Sequence, residues 1–471
     1  MKAGKVLNFN SLRGIGTISG DDGKEYFVHF SKIVGKQEKL LLKGEKVSFE
    51  VVTKDRDGRN DRAINIRVLD EGPPEKQVIF QNPFSPRSPI NDPEKFAGRK
   101  QEIKTGAIGL VNKSNVLVTG PRGIGKSSYA NQLLYIAQGK NYLLEKCNIE
   151  LDEPLEYATI SIRSLKGVSL KEIAGNIIRQ FVKEFDLERK LNLEHQFDFQ
   201  VYKLKAKFAT KEVEQENTLD HFNYDLVKIC DILDRKNGLL ILIDEVENID
   251  PDIGLPNFIK NVTEYFNTEK INVTFIITGI PCAITTLFFE HPSFVRLFMP
   301  VTLKELSQIE SYELIDLFMT EQRKKITVDT KILITRIARG YPVNLQLIGF
   351  YAYQLSTNKF IAKEDVWRAC DYIIDNVKTN EFLGKHEGVG FGLCDRILRY
   401  VVSDDYQKRS ITFKNLSEFF SDCTREDLEE ALIKLSDSEI IDTVTKGNYF
   451  IKDGLFQRYL QKYYRSESIS N

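Results

Sequence analysis

The stretch Gly120-Pro121-Arg122-Gly123-Ile124-Gly125-Lys126-Ser127-Ser128 carries the most specific chemistry in the 471-residue chain. Its spacing is G-x-x-x-x-G-K-S. Glycines placed this way let backbone N–H groups turn inward around phosphate oxygens. Lys126 would then reach the β- and γ-phosphates of a nucleotide, and Ser127 would offer its hydroxyl to Mg2+. A second motif follows downstream, where Leu239-Leu240-Ile241-Leu242-Ile243 runs straight into Asp244-Glu245. Two carboxylates at the end of an apolar run are costly unless they serve something. Asp244 would hold Mg2+ through water, and Glu245 would polarise an attacking water as general base. An Asp alone permits binding; the adjacent Glu points to hydrolysis.

Such side chains need elements that hold them. Val116–Thr119, Tyr157–Ile162, Leu239–Ile243, Val273–Thr278 and Phe298–Leu303 are short, continuous apolar runs. Runs of that kind suit a parallel sheet covered on both faces, with helical stretches between the strands. The glycine loop lies between the first run and a helix over Ser127–Ala137, whose N-terminus adds partial positive charge. This α/β core is expected over residues 95–304, followed by a helical lid over 305–384. Residues 1–70 hold five short β-rich runs separated by turn signals such as Asp22-Gly23 and Asp57-Gly58, the pattern of a small barrel. Six of the 14 prolines fall in residues 71–94, which reads as a linker. Residues 385–471 read as three helices (Phe391–Val402, Phe413–Phe420, Arg425–Leu435) and a β-wing (Ile440–Val444, Tyr449–Ile451). Thr424-x-x-Asp427 forms a capping box before the third helix. The expected fold class is multidomain: a small β-barrel that resembles the OB type, an α/β P-loop domain with parallel sheet and helical lid, and a C-terminal unit that resembles a winged helix.

The order strand–phosphate loop, strand, strand–Asp-Glu, strand–Thr278 resembles the AAA+ and STAND branch of P-loop ATPases. The resemblance covers residues 95–380 and implies ATP and Mg2+ as cofactors. It implies that Thr278, in Ile276-Ile277-Thr278-Gly279, orients water against the γ-phosphate. Phe96-Ala97-Gly98-Arg99-Lys100-Gln101-Glu102 resembles the FxGRexE segment that opens many such ATPases, placing Gly98 and Arg99 near the base. Gly340-Tyr341-Pro342 resembles the GxP motif of the STAND lid, placing Pro342 at the nucleotide. Where AAA+ lids offer an arginine to the phosphate, this chain has none at the matching place; Arg339 precedes the motif. That departure favours a regulatory, archaeal-type ATPase over a processive motor. Arg296 lies where origin-recognition-type relatives place an arginine that reaches a neighbouring subunit's nucleotide, which would make hydrolysis depend on self-association. A surface arginine is the alternative.

Residues 1–70 resemble a cold-shock domain through Gly4-Lys5-Val6, Phe9-Asn10, Arg13-Gly14-Ile15-Gly16-Thr17-Ile18, Asp22-Gly23 and Phe27-Val28-His29-Phe30-Ser31. That family stacks single-stranded nucleic acid on surface aromatics. Phe27, His29 and Phe30 keep its second motif. Ile15, Thr17 and Asn8 stand where the family has aromatics. Phe27 could belong to the core, leaving Phe9, His29 and Phe30 as the exposed platform. With 14 Lys and Arg against 10 Asp and Glu, residues 1–70 are mildly basic. Single-stranded RNA or DNA is one expected partner; a barrel kept only for docking is the alternative.

A winged helix often enters the DNA major groove by its third helix. Here that helix carries Glu426, Asp427, Glu429 and Glu430 against Arg425 and Lys434, so phosphate repulsion opposes entry and a protein partner is expected instead. The whole chain balances 66 Lys and Arg against 67 Asp and Glu, which excludes a basic nucleic-acid coat. No apolar run is long enough to span a membrane, no apolar signal core follows Met1, and the six cysteines form no CxxC pair. A cytoplasmic protein without disulfides or zinc is expected. His195, His221, His291 and His386 show no ligand spacing. Lys203, Lys205, Lys207 and Lys211 read as a solvated helix face. The function expected is an ATP-dependent molecular switch with slow turnover; a nucleic-acid-remodelling motor and a nucleotide-holding scaffold are its rivals.

Overall fold

The computed structural model describes residues 1–10, 14–34, 41, 43–52, 61–69, 81–187, 211–288, 296–320, 322–390, 392–403, 411–445 and 447–470. Arg13, His195, His291, the lysine-rich residues 203–207 and linker residues 71–80 lie outside them. Two compact units result, Met1–Gln81 and Asn82–Asn471.

The first unit is a closed barrel of β1 (Lys2–Asn10), β2 (Ile15–Gly20), β3 (Glu25–His29), β4 (Lys46–Val52) and β5 (Arg62–Val68), in the order β1-β2-β3-β5-β4. Inward residues alternate along the strands, with a register shift between Val6 and Asn8 and another between Ser48 and Glu50. Val6, Ile18, Tyr26, Val28, Val47, Phe49, Ala63 and Ile66 are all buried, and their sequence neighbours face outward.

In the second unit, α1 (Lys100–Val111), β6 (Asn115–Thr119), α2 (Lys126–Ala137) and α3 (Tyr142–Lys146) come first. Then follow β7 (Ala158–Arg163), α4 (Leu170–Glu184), α5 (Lys211–Leu233), β8 (Leu239–Asp244), α6 (Leu255–Glu269), β9 (Val273–Gly279), α7 (Pro281–Phe288) and β10 (Phe298–Thr302). The five strands form one parallel sheet in the order β10-β6-β9-β8-β7. The run in β8 is continuous because both of its faces are covered. Leu240 and Leu242 pack among α1, α2 and α3; Leu239, Ile241 and Ile243 pack among α4, α5 and α6. β6 sits between β9 and β10, so its carboxyl end opens where the strand order reverses, the place where such sheets leave a crevice.

The lid comprises α8 (Gln308–Met319), α9 (Val328–Ala338), α10 (Pro342–Leu355), α11 (Lys363–Tyr372) and α12 (Thr379–Gly388). The C-terminal helices are α13 (Leu393–Val402), α14 (Phe413–Phe419), α15 (Arg425–Asp437) and α16 (Gly454–Ser470), with a three-stranded wing that includes Ile441–Thr445 and Asn448–Ile451. The Thr424/Asp427 capping box is formed. Lid and C-terminal helices share one continuous hydrophobic core, from Phe318 and Leu345 to Leu435 and Leu460.

The prolines of residues 82–94 do not mark a free linker. Phe84 is buried and stacks on Phe318, with ring centroids 5.5 Å apart. Asn82 Nδ2 donates to Phe350 O at 2.8 Å and the Ser85 N–H to Gln346 Oε1 at 3.0 Å, both on α10. Further along, the Ile90 N–H donates to Ser128 Oγ at 2.9 Å, and Gln132 Nε2 returns to Ile90 O at 3.0 Å, both on α2. Proline removes backbone donors, but side chains of two neighbouring helices satisfy what remains, so the segment straps lid to core.

Candidate active site

The glycine loop leaves β6 and enters α2 as the motif requires. Gly123 and Gly125 have φ of 77° and 97°, a region that side chains rarely adopt. A Cβ on Gly123 would stand 2.4 Å from Val343 Cγ1, so the lid rests directly on the loop. The Val343 N–H also donates to Gly123 O at 3.3 Å. Pro342 opens α10 beside Gly125.

Lys126 is buried. Its Nζ donates to Gly120 O at 2.9 Å and Pro121 O at 3.2 Å. Burial pulls its pKa down, and the carboxylates of Glu247 and Asp244 push back. Pro121, Arg122 and Ile124 complete the loop; the Ile124 side chain is buried beneath it. Ser127 Oγ donates to Asp244 Oδ1 at 3.1 Å. A hydroxyl beside a carboxylate is a hard-oxygen donor pair that fits Mg2+ together with phosphate oxygens. Thr278 Oγ1 also donates to Asp244 Oδ1 and accepts the Glu245 N–H at 3.0 Å. Thr278 is completely buried, so this hydroxyl is fixed. The four expected residues Lys126, Ser127, Asp244 and Thr278 thus meet at the carboxyl ends of β6, β8 and β9.

Glu245 has a left-handed backbone, φ 59°. Its carboxylate is held by Arg163 at the end of β7: Nε to Oε2 at 2.8 Å and Nη2 to Oε1 at 2.6 Å. Asn248 Nδ2 adds a contact to Oε2 at 3.3 Å. Neither residue stood out in the sequence. Only the parallel register that pairs Arg163 with Asp244 brings the guanidinium here.

Other expected residues lie differently. Gly98 and Arg99 are gripped by the lid: their N–H groups donate to Glu313 Oε2 at 3.1 Å and Glu310 Oε1 at 2.8 Å. The buried Arg99 guanidinium bonds Ile124 O at 3.1 Å and Glu102 Oε1 at 3.3 Å, so it braces the loop from behind. Ser128 Oγ is taken by Ile90, which leaves only its backbone for a phosphate. Arg296 is exposed just before β10. Arg339 turns away from the loop to Gln457 Oε1 on α16, so it takes no sensor position.

On the barrel, Phe27 and His29 lie half-buried on the outer face and Phe30 is exposed. The core alternative for Phe27 falls, because Tyr26 and Val28 are the inward residues. Phe9 is half-buried like Phe27 and His29; it packs partly against the barrel core and lies over Gly16, where a Cβ would come within 2.8 Å of its ring. Ile15 and Thr17 pair with His29 and Phe27, so the lost aromatics leave gaps on the same face. Of the histidines, His386 is buried and bonded to Asp395 and Tyr464, whereas His221 is exposed. Among the described residues no cluster of His, Cys, Asp and Glu could hold a metal by itself, and no helix is long and apolar enough to cross a membrane.

Residues 2–69 match the family described as 'Cold-shock' DNA-binding domain. The cold shock-like protein CspD of Bacillus cereus is 46% identical over 67 residues, 14% of this chain and 96% of that protein. Cold shock protein CspB of Bacillus caldolyticus is 45% identical over 69 residues, 15% of this chain and 100% of that protein. Among solved structures, a Walker-type ATPase of Pyrococcus abyssi aligns with a TM-score of 0.52 at 14% identity, covering 80% of this chain and 99% of that one. The ORC2 protein of Aeropyrum pernix aligns with a TM-score of 0.52 at 13% identity, covering 83% and 98%. These two likenesses are of fold.

Proposed function

From a chain that belongs to the cold-shock domain family through residues 2–69, and whose longer part has the fold of Walker-type ATPases, we infer an ATP-dependent molecular switch. Mg-ATP would bind between the α/β core and the lid. One observation carries this reading: Lys126, Ser127, Asp244 and Thr278 converge under a lid that touches the glycine loop.

The chemistry follows from the groups present. Lys126 exchanges its loop carbonyls for the β- and γ-phosphates. Ser127 and Asp244 would hold Mg2+, which would supply positive charge to offset that of the transferring phosphoryl group. Thr278 fixes Asp244 and the Glu245 backbone. Glu245 takes the proton of the attacking water once its carboxylate leaves Arg163. Turnover is slow because that base is paired at rest. Single-stranded RNA or DNA at Phe9, Phe27, His29 and Phe30 is the proposed trigger, with a protein partner at the C-terminal helices and self-association through Arg296.

The nucleotide-holding scaffold stays as second reading because the Arg163–Glu245 pair could be permanent. Steady-state ATP turnover with and without single-stranded nucleic acid, with Glu245→Gln as control, decides between them. Turnover lost in the variant and raised by the strand supports the switch. Tight ATP binding with no turnover in either protein supports the scaffold. Lys126→Ala should abolish nucleotide binding, and retained binding would sink the site.

A further inference from the structure

The amino ends of β7 and β8, the edge of the sheet away from the glycine loop, carry a surface that the nucleotide site does not use. Two grooves lie there, one of about 420 Å3 between α1 and residues 149–155, the other of about 650 Å3 between α3 and the same loop. Ile149, Glu150, Leu151 and Pro154 line both, so the loop is the ridge between them. The floor of the first groove is apolar. α1 buries Ile103, Ala107 and Leu110 in the core, yet Ile108 and Val111, one turn apart on its outer side, stay 42% and 47% exposed. Leu151 lies half-buried in the same groove. An apolar strip rimmed by polar groups is the mark of a surface that another molecule covers. The rim is acidic: Glu150 lines both grooves, Glu145 the second, Asp152 and Glu153 the first, and all four are exposed. Lys104 and Lys236 oppose them, but Lys236 is already paired with Glu153. Glu145, Glu150 and Asp152 are left against Lys104 alone.

We propose that these grooves take a basic amphipathic segment of a partner protein. Its apolar side chains would seat on Ile108, Val111 and Leu151, and its lysines or arginines would lie beside Glu145, Glu150 and Asp152. The charges choose the occupant. An acidic or phosphate-bearing chain is repelled by the ridge. A wholly apolar one would strip water from the carboxylates and give them nothing in return. A segment that sets a cation beside each apolar side chain meets both demands, as amphipathic helices do in apolar grooves. The surface belongs to the α/β core and not to the C-terminal helices.

The test is fluorescence anisotropy with the full chain and a labelled amphipathic peptide of leucine and lysine, about five helical turns long. The parent should bind it. A peptide of the same composition with its apolar stripe scrambled, and one with glutamate for lysine, should each bind at least about tenfold more weakly. Two variants locate the site on the chain: Ile108→Ser with Val111→Ser removes the apolar strip, and Glu150→Gln with Asp152→Asn removes the charge. All four positions are at the surface, so the fold should survive, and each variant should weaken binding about tenfold or more. Glu429→Gln with Glu430→Gln on α15, where Ile433 is 61% exposed, should leave binding unchanged. Binding lost in the α15 variant and kept in the groove variants would overturn the inference. So would a parent that does not bind, or one that binds the scrambled peptide equally well. A parent that sediments as a dimer, and as a monomer once Ile108 and Val111 are serine, would give the grooves to a second copy of this chain and overturn it too.

Discussion

At the scale of single residues, the resting state of Glu245 sets the behaviour of the site. Its two oxygens face Arg163 in a bidentate pair, but the Arg163 side chain is 69% exposed. Exposed pairs couple by only about 0.2–1 kcal/mol. Removing the guanidinium should therefore free the base modestly: Arg163→Ala is expected to raise basal ATP turnover between about 1.5- and 5-fold. Stimulation by nucleic acid should shrink in proportion. A fall in turnover would mean that Arg163 assists the reaction instead of restraining it. The same residue marks where sequence reading stops. Lys126, Ser127, Asp244, Glu245 and Thr278 were legible because each sits at a fixed offset in a local motif. Arg163 was not, since its relevance arises from the strand register that pairs it with Asp244.

At the scale of elements, the sheet was legible to within one or two residues because each strand is a continuous apolar run covered on both faces. The barrel was legible through five short β-rich runs set apart by turn signals. The segment over 82–94 was not: proline content describes a chain that cannot join a ladder, and says nothing of side chains elsewhere that reach for it. Phe84 is the part that matters most. It fills the space over Gly349 and stacks on Phe318. Phe84→Ala should cost about 3–5 kcal/mol. Because the same segment continues to Ser128 and Gln132 on α2, the loss should also weaken nucleotide binding. Thermal unfolding with and without ATP checks both; an unshifted melting temperature would show that the strap is passive. On the barrel, Phe30 is the most exposed of the surviving aromatics. Phe30→Ala should weaken any single-strand affinity by about 1–3 kcal/mol, measured by titration with a short oligonucleotide.

At the scale of the whole molecule, the lid and the C-terminal helices cannot move independently. They share one core, and polar contacts lock the joint. Asn344 Nδ2 on α10, one residue from the Val343 that rests on the glycine loop, donates to Asp453 Oδ1 at 3.2 Å. The same oxygen caps α16 by accepting the Leu455 and Phe456 N–H groups. Gly454 lies so close to α9 that a Cβ there would meet Ile337 O at 2.1 Å. A lid displaced by nucleotide would therefore carry the C-terminal helices with it. The chain supplies its own reporter, since its single tryptophan, Trp367 on α11, lies under the Arg458 guanidinium of α16 at 4.5 Å. Asp453→Ala removes a helix cap, worth about 0.5–2 kcal/mol, and strands the buried Asn344 amide at about 1–3 kcal/mol. Denaturant unfolding followed by Trp367 emission should thus lose about 1.5–5 kcal/mol in that variant. Amide exchange in residues 2–69 should not change, because the barrel is a separate compact unit with its own core. Nucleotide binding should shift Trp367 emission in the parent and less so in the variant. If emission ignores nucleotide in the parent, the joint does not transmit the state of the glycine loop, and the C-terminal helices must respond to something other than the lid.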